Sequence, residues 1–290
     1  MNAIEIQGLT KIYKGKKRSA VAALKDLNLS IMQGEVFGYL GPNGAGKSTT
    51  IKTLMGLVKP TSGSAKIMGT SISARDARSH VGYLPENPAF YDFLSAEEYL
   101  EFVGRTFSLS GPRLKEKQEE TLRLLELWDD RKRPIRSYSK GMVQRVGLAQ
   151  VLIHDPDVYI LDEPMSGLDP LGRALVKSIL LDLKARGKCV FFSTHIISDV
   201  ETVCDRVGII LKGELQSVDS VERIMAEGIE GYTVVVSTKA GETKKYSVVS
   251  DQLSDFLASM SVEGNQVKLV EPTRKHLEDF FLSIVKEKSA

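Results

Sequence analysis

Residues Gly41-Pro42-Asn43-Gly44-Ala45-Gly46-Lys47-Ser48 meet every fixed position of the pattern GxxxxGK[ST]. The β-forming run Glu35–Leu40 precedes them, and a helical stretch from Lys47 to about Leu57 follows. A strand that passes through glycines straight into a helix leaves a row of backbone N–H groups aimed at one point. The helix dipole makes that point positive. Such a loop holds phosphate. Gly41, Pro42, Asn43, Gly44, Ala45 and Gly46 wrap the oxygens, and Lys47 places a point charge on the β and γ phosphates. The Ser48 hydroxyl suits Mg²⁺, and Thr49 is within reach of the α phosphate. The motif points to nucleotide binding on an α/β fold. Alone, it does not choose among ATPase, GTPase and kinase.

The rest of the chain fits that fold class. Val158–Leu161, Val190–Phe192 and Val207–Leu211 are wholly apolar runs. Strands buried on both faces read this way, as in a parallel sheet covered by helices. Ala3–Gln7 alternates, and Leu27, Leu29 and Ile31 share one face of Ala22–Met32, as half-buried strands do. Ser95 to Ile153 is mainly helical, and Ser95-Ala96-Glu97-Glu98 forms a capping-box start. From Tyr232 the character changes. Strands are expected at Tyr232–Thr238, Tyr246–Val249 and Val267–Val270, with a turn over Lys239–Glu242. Helices are expected at Asp251–Met260 and Thr273–Lys286. The expected division is a nucleotide-binding domain over 1–215, a linker over 216–231 and a small accessory domain over 232–290.

Composition excludes some classes. Lys and Arg number 39 against 37 Asp and Glu, a net charge of +2, so no large field of one sign is expected; this weighs against a protein built to coat nucleic acid, and no nucleic-acid partner is expected. No run approaches eighteen apolar residues, so no transmembrane helix is expected. No secretory signal is visible at the N-terminus. Cys189 and Cys204 are too few for a disulfide framework.

Val158-Tyr159-Ile160-Leu161 runs into Asp162-Glu163. A buried strand carries Asp162 to the edge where open α/β sheets bind ligands. Asp162 suits Mg²⁺, and Glu163, one residue on, suits a general base acting on water. Phosphoryl transfer needs both roles, which ties the pair to the phosphate loop.

Three further stretches narrow the reading. Tyr138-Ser139-Lys140-Gly141-Met142 resembles the LSGGQ signature of ATP-binding cassette proteins. Ser166-Gly167-Leu168-Asp169 resembles their D-loop, and Ser193-Thr194-His195 their switch histidine. The order of all five motifs is that family's order, over roughly residues 3 to 215. The resemblance implies a P-loop NTPase core with an antiparallel β subdomain and a helical subdomain (about 88–155), followed by a small α+β domain. It implies ATP and Mg²⁺ as ligands, and a head-to-tail dimer, with itself or with a second cassette subunit. In such a dimer Ser139, Gly141 and Asp169 serve the nucleotide held by the opposite subunit. His195 is implied at the γ phosphate, Tyr13 stacked on adenine, and Glu86 at the position of the Q-loop glutamine, near the metal.

Two motifs depart from the family's pattern, at three positions. Glu86 stands where a glutamine is usual. In the signature, Lys140 replaces a glycine and Met142 a glutamine, while Ser139 and Gly141 are kept. Phe90–Phe107 holds six aromatics in eighteen residues, either the core of a helical subdomain or a docking surface for a membrane subunit. The basic stretch Lys11, Lys14, Lys16, Lys17, Arg18 reads as a solvated loop. The resemblance implies the ATPase subunit of a transporter, of the exporter kind with a separate membrane permease. It would sit peripherally on the cytoplasmic face of the cell membrane. The competing class is a soluble cassette ATPase acting on nucleic acid or ribosomes. The DNA-repair type needs a long coiled coil that is missing between Lys47 and Gly141, and the ribosomal type carries two phosphate loops where one is present here.

Overall fold

A computed structural model describes residues 1–14, 20–227, 229–238, 242–274 and 277–287. In chain order the elements are β1 (Asn2–Lys14), β2 (Ala20–Met32), β3 (Val36–Leu40), α1 (Lys47–Leu54), β4 (Ser62–Ile67), β5 (Thr70–Ser71) and β6 (Val81–Leu84). Next come α2 (Ala96–Thr106), α3 (Gly111–Leu124), α4 (Lys140–Leu152), β7 (Val158–Asp162), α5 (Pro170–Ala185), β8 (Cys189–Thr194), α6 (Ile197–Val203), β9 (Arg206–Leu211) and β10 (Glu214–Ser220). The last are α7 (Val221–Glu227), β11 (Ile229–Ser237), β12 (Thr243–Val249), α8 (Leu253–Val262), β13 (Gln266–Arg274) and α9 (Leu277–Glu287). The chain forms two compact units, Met1–Val218 and Asp219–Ala290.

The larger unit is built on a six-stranded sheet of order β10-β9-β3-β8-β7-β6. β6, β7, β8, β3 and β9 pair in parallel. Successive residues of its central strands serve opposite layers, because side chains alternate across a strand. Phe37, Tyr39, Val158, Ile160, Cys189 and Phe191 join a core with β1, β2, β4 and α1. Val36, Tyr159, Leu161, Val190 and Phe192 join a second core with α2, α3, α4 and α5. The antiparallel sheet β2-β1-β4-β5 thus covers one face and helices the other. The uninterrupted apolar runs arise from this double burial.

Helix boundaries follow local chemistry. Ser95 caps α2 by accepting from the Glu98 N–H, while the Glu98 carboxylate accepts from the Ser95 N–H at 2.8 Å, a complete capping box. The Ser95 N–H, together with the Ser95 hydroxyl donating to the same oxygen at 2.8 Å, holds the Glu98 carboxyl below its ordinary pKa. Pro156 and the turn after α4 release the chain into β7.

Three expectations need correction. α1 stops at Leu54, not Leu57; Gly56, with φ 70°, ends it. The segment 216–231 is not a linker. A two-residue turn, Lys212-Gly213, folds the chain back from β9, so β10 joins the main sheet as its edge strand, and α7 and β11 follow at once. The apolar spacing of that segment is too sparse to announce an edge strand. The last helix begins at Leu277, because Thr273 and Arg274 continue β13 in register with β11. The turn expected over 239–242 lies mostly outside the described residues, as do Lys16, Lys17 and Arg18.

The smaller unit pairs β12-β11-β13 antiparallel. Val234, Val236 and Val248 pack with Met260 of α8, and the Tyr246 and Phe256 rings meet at 5.2 Å. No helix among the described residues is long and apolar enough to cross a membrane.

Phe191 is fully buried at the centre of the larger unit, 5.3 Å from the Tyr39 ring and 6.1 Å from Phe37. Phe191→Ala is expected to cost about 3–5 kcal/mol of stability, read as a fall in the urea midpoint of the larger unit. A loss under about 1 kcal/mol would mean that this layer relaxes around the cavity.

Candidate functional site

The C-terminal ends of β3, β8 and β7 coincide. Leu40 is opposite Thr194, and Asp162 is opposite Ser193. Three segments far apart in sequence therefore emerge side by side: the glycine loop, Asp162-Glu163 and Thr194-His195. Between them lies a cavity of 280 Å³, lined by Ala23, Glu86, Glu163 and loop residues 42–49. Gly46, the N-cap of α1, has φ 117°, and a Cβ there would fall 2.7 Å from the Ala23 carbonyl oxygen. Only glycine lets the loop close this tightly against β2. The first N–H groups of α1 have no intrahelical acceptor and face the cavity mouth as an anion site.

Lys47 is buried. Its ammonium donates to the Gly41 carbonyl at 2.6 Å and the Pro42 carbonyl at 3.3 Å, and lies 3.6 Å from Glu163 Oε1. The two acidic neighbours are separated by backbone geometry. Asp162 ends the strand with its carboxylate buried, accepting from the Ser193 hydroxyl at 2.5 Å. Glu163 has φ 52°, a left-handed conformation that costs a non-glycine residue about 1 kcal/mol. That twist turns the Glu163 side chain into the cavity. The strain is held by its N–H, which donates to the Ser193 carbonyl at 3.2 Å and the Ser193 hydroxyl at 3.0 Å. His195 Nδ1 is 3.0 Å from both Glu163 oxygens, its ring half-exposed.

The site so brings Asn43, Lys47, Ser48, Thr49, Glu86 and Glu163 to one cavity, and His195, outside the lining, joins it through Glu163. Gly41 packs beneath the loop against Ile210 rather than lining the space. Asp162 lies just behind it. Burial raises the pKa of the neighbouring Tyr83, and the Asp162 charge raises it further. Tyr13 is 40% exposed at the tip of the β1–β2 pair, outside the lining, with the Lys11 ammonium 5.0 Å from its ring centre. Lys11 also donates to the Lys59 carbonyl at 2.7 Å, so it is anchored to the β scaffold rather than free in a loop.

Ser139, Gly141 and Asp169 are not in the cavity. Ser139 caps α4 by accepting from the Met142 N–H, and Asp169 caps α5 by accepting from the Gly172 N–H at 2.9 Å. They form a second, separate surface. Leu168 comes within 3.6 Å of where a Gly141 Cβ would stand. Gln144 of α4 donates to the Pro164 carbonyl at 3.1 Å, tying this surface to the turn after Glu163. Ser193 is the residue whose part was missed. It was legible only as one member of Ser193-Thr194-His195, and its bond to Asp162 follows from strand register.

Among the described residues no group of three or more His, Cys, Asp and Glu side chains gathers as a preformed site. One hydroxyl and two carboxylates, Ser48, Asp162 and Glu86, are hard oxygen donors of the kind Mg²⁺ takes alongside phosphate oxygens and water. They fit that ion. Neither thiol competes as a nucleophile. Burial pushes the Cys189 thiol up to about 12 and raises Cys204 as well.

Ser193→Ala removes one hydrogen bond to Asp162 and one to the Glu163 backbone. Nucleotide turnover is expected to fall roughly 10-fold or more, with nucleotide affinity within about threefold. Unchanged turnover in a steady-state phosphate-release assay would rule out this role for Ser193.

The sequence pattern of the family described as ABC transporter matches residues 24–166. An uncharacterized ABC transporter ATP-binding protein of Synechocystis sp. is 41% identical, covering 99% of this chain and 86% of the relative. The linearmycin resistance ATP-binding protein LnrL of Bacillus subtilis is 31% identical over 99% of this chain and 90% of its own length. A dimeric ABC cassette, solved in a post-hydrolysis state with ADP and Pi, superimposes with a TM-score of 0.70 at 26% identity, covering 75% of this chain and 98% of that one. With a full-length relative at 41% identity and the phosphate loop and carboxylate pair converging on one cavity, this chain belongs to the ATP-hydrolysing, ATP-binding subunits of the ABC transporter family.

Proposed function

We propose that the chain is the motor subunit of an exporter, closing as a head-to-tail dimer around two ATP molecules and driving a separate membrane permease. The observation that carries the catalytic half is Glu163, held 3.6 Å from the Lys47 ammonium and 3.0 Å from His195 at the end of a buried strand. In this reading the loop N–H groups and Lys47 bind the β and γ phosphates, and Tyr13 stacks on adenine. Lys47 leaves its carbonyl and carboxylate partners for phosphate oxygens. Glu163, freed of its cation, takes a proton from the attacking water. His195 orients that water and the γ phosphate. Ser48, Asp162 and Glu86 hold Mg²⁺, which supplies charge neutralisation on the phosphates. Ser193 keeps Asp162 and Glu163 in place.

Ser139, Gly141 and Asp169 lie on a surface apart from the chain's own cavity, and a second anion-binding helix end there is useful only to another subunit's nucleotide. That supports a pair of such chains, each completing the other's site. ATP favours the closed dimer and hydrolysis reopens it. The exposed rings Tyr91, Phe93 and Phe102 lie beyond Glu86 and support a docking surface for the permease at the cytoplasmic face of the membrane. Tyr99, by contrast, is buried against Phe90 in the helical core, so that cluster serves both purposes. The word resistance in the name of the LnrL relative supports the outward direction.

Glu163→Gln is expected to lower hydrolysis by about 10²–10⁴-fold while ATP binding persists and the dimer accumulates. Normal turnover in that variant would overturn the assignment of the base. For the transport half, the chain purified from detergent-solubilised membranes is expected to bring a polytopic membrane protein with it. Ribosomes or DNA in its place would favour the soluble class instead.

A further inference from the structure

Two of the three departures from the family's pattern, Glu86 and Lys140, carry charges of opposite sign. Glu86 lines the phosphate cavity, is exposed, and makes no ion pair or hydrogen bond with the described residues. The charged side chains lining that cavity are Lys47, Glu86 and Glu163, one cation against two carboxylates. Lys47 already faces Glu163. A nucleotide triphosphate entering this space with its metal still meets in Glu86 one negative charge more than a glutamine there would supply.

Lys140 is the complementary oddity. It is the first residue of α4, where a cation opposes the positive end of the helix dipole. Its side chain is exposed and has no ion pair among the described residues. Its stem is nevertheless placed. It lies over Gly167, whose φ is 73°, and a Cβ on Gly167 would stand 2.5 Å from Lys140 Cε and 3.1 Å from Nζ. Any larger residue at 167 would dislodge it. An ammonium that is locally unfavourable, has no ion pair among the described residues and lies in the room that Gly167 leaves calls for compensation elsewhere.

We propose that Lys140 pairs with Glu86 of the partner subunit when two copies close around ATP. This rests on the head-to-tail reading, in which the N-terminus of α4 covers the opposite phosphate loop, the loop that Glu86 adjoins. The pair neutralises the extra carboxylate only in the closed state, so it couples closure to occupancy of the cavity. It also selects the partner. Both halves reside on one chain, so self-association forms two such pairs, whereas a cassette with glutamine and glycine at these positions offers neither. The preferred partner is a second copy of this chain.

The test is a double-mutant cycle in the Glu163→Gln background, with ATP-dependent self-association followed by sedimentation velocity at several salt concentrations. Lys140→Met keeps the stem over Gly167 and removes the charge. It is expected to weaken the ATP-dependent dimer by about tenfold when Glu86 is present. In a Glu86→Gln chain the same substitution is expected to change it by less than about twofold, and the salt dependence flattens. The swapped variant Lys140→Glu with Glu86→Lys is expected to recover more of the dimer than Lys140→Glu alone. Equal effects of Lys140→Met with and without Glu86, in chains that still dimerise with ATP, would overturn the pair and leave the dimer standing. If the Glu163→Gln chain does not dimerise with ATP at all, the head-to-tail reading falls and the pair with it.

Discussion

Parallel pairing of β3, β8 and β7, each strand buried on both faces, is what the rest of the larger unit hangs on. A parallel ladder of predominantly apolar strands, buried along their whole length, has no solvent face, so it must be covered twice. The antiparallel sheet and α1 cover one side, and the long helices cover the other. With both faces occupied, polar chemistry is pushed to the strand ends, and the shared register makes those ends coincide at Leu40, Thr194 and Asp162. The cavity is a consequence of that alignment.

Ser193 converts alignment into precision. Its hydroxyl accepts from the Glu163 N–H and donates to the Asp162 carboxylate, so one side chain fixes both acids. The left-handed turn at Glu163 then separates two neighbours that a regular strand would already send to opposite faces, bringing the second one round to Lys47. Strain of this kind persists only where surrounding bonds hold it, and here they come from the adjacent strand. A similar economy operates on the second surface, where Ser139 and Asp169 cap their helices while Gln144 ties that surface to the turn following Glu163.

Much of the site could be read from residues alone. The phosphate loop, the carboxylate pair and the signature are contiguous strings whose chemistry is local, and their order along the chain matched one family. What escaped was non-local. Ser193 acts through strand register, which no spacing encodes. Most of the edge strand β10 reads as a linker in the sequence, because its alternation is weak and its place in the sheet is set by pairing with β9. The end of α1 and the start of α9 moved by a few residues because turn geometry and sheet pairing outweighed apolar spacing there.

The amino-acid order by itself determined the α/β class, the glycine loop of pattern GxxxxGK[ST] and the identity of the acids beside it. These depend on residue type and short spacing, which survive any tertiary arrangement. Only the folded chain decided which of those residues meet. Lys47, Glu86 and Glu163 share a cavity, while Ser139, Gly141 and Asp169 stand apart on another surface. Proximity across more than a hundred residues is set by strand order and by burial on both faces of the sheet, and those are properties of the whole unit rather than of any segment in it.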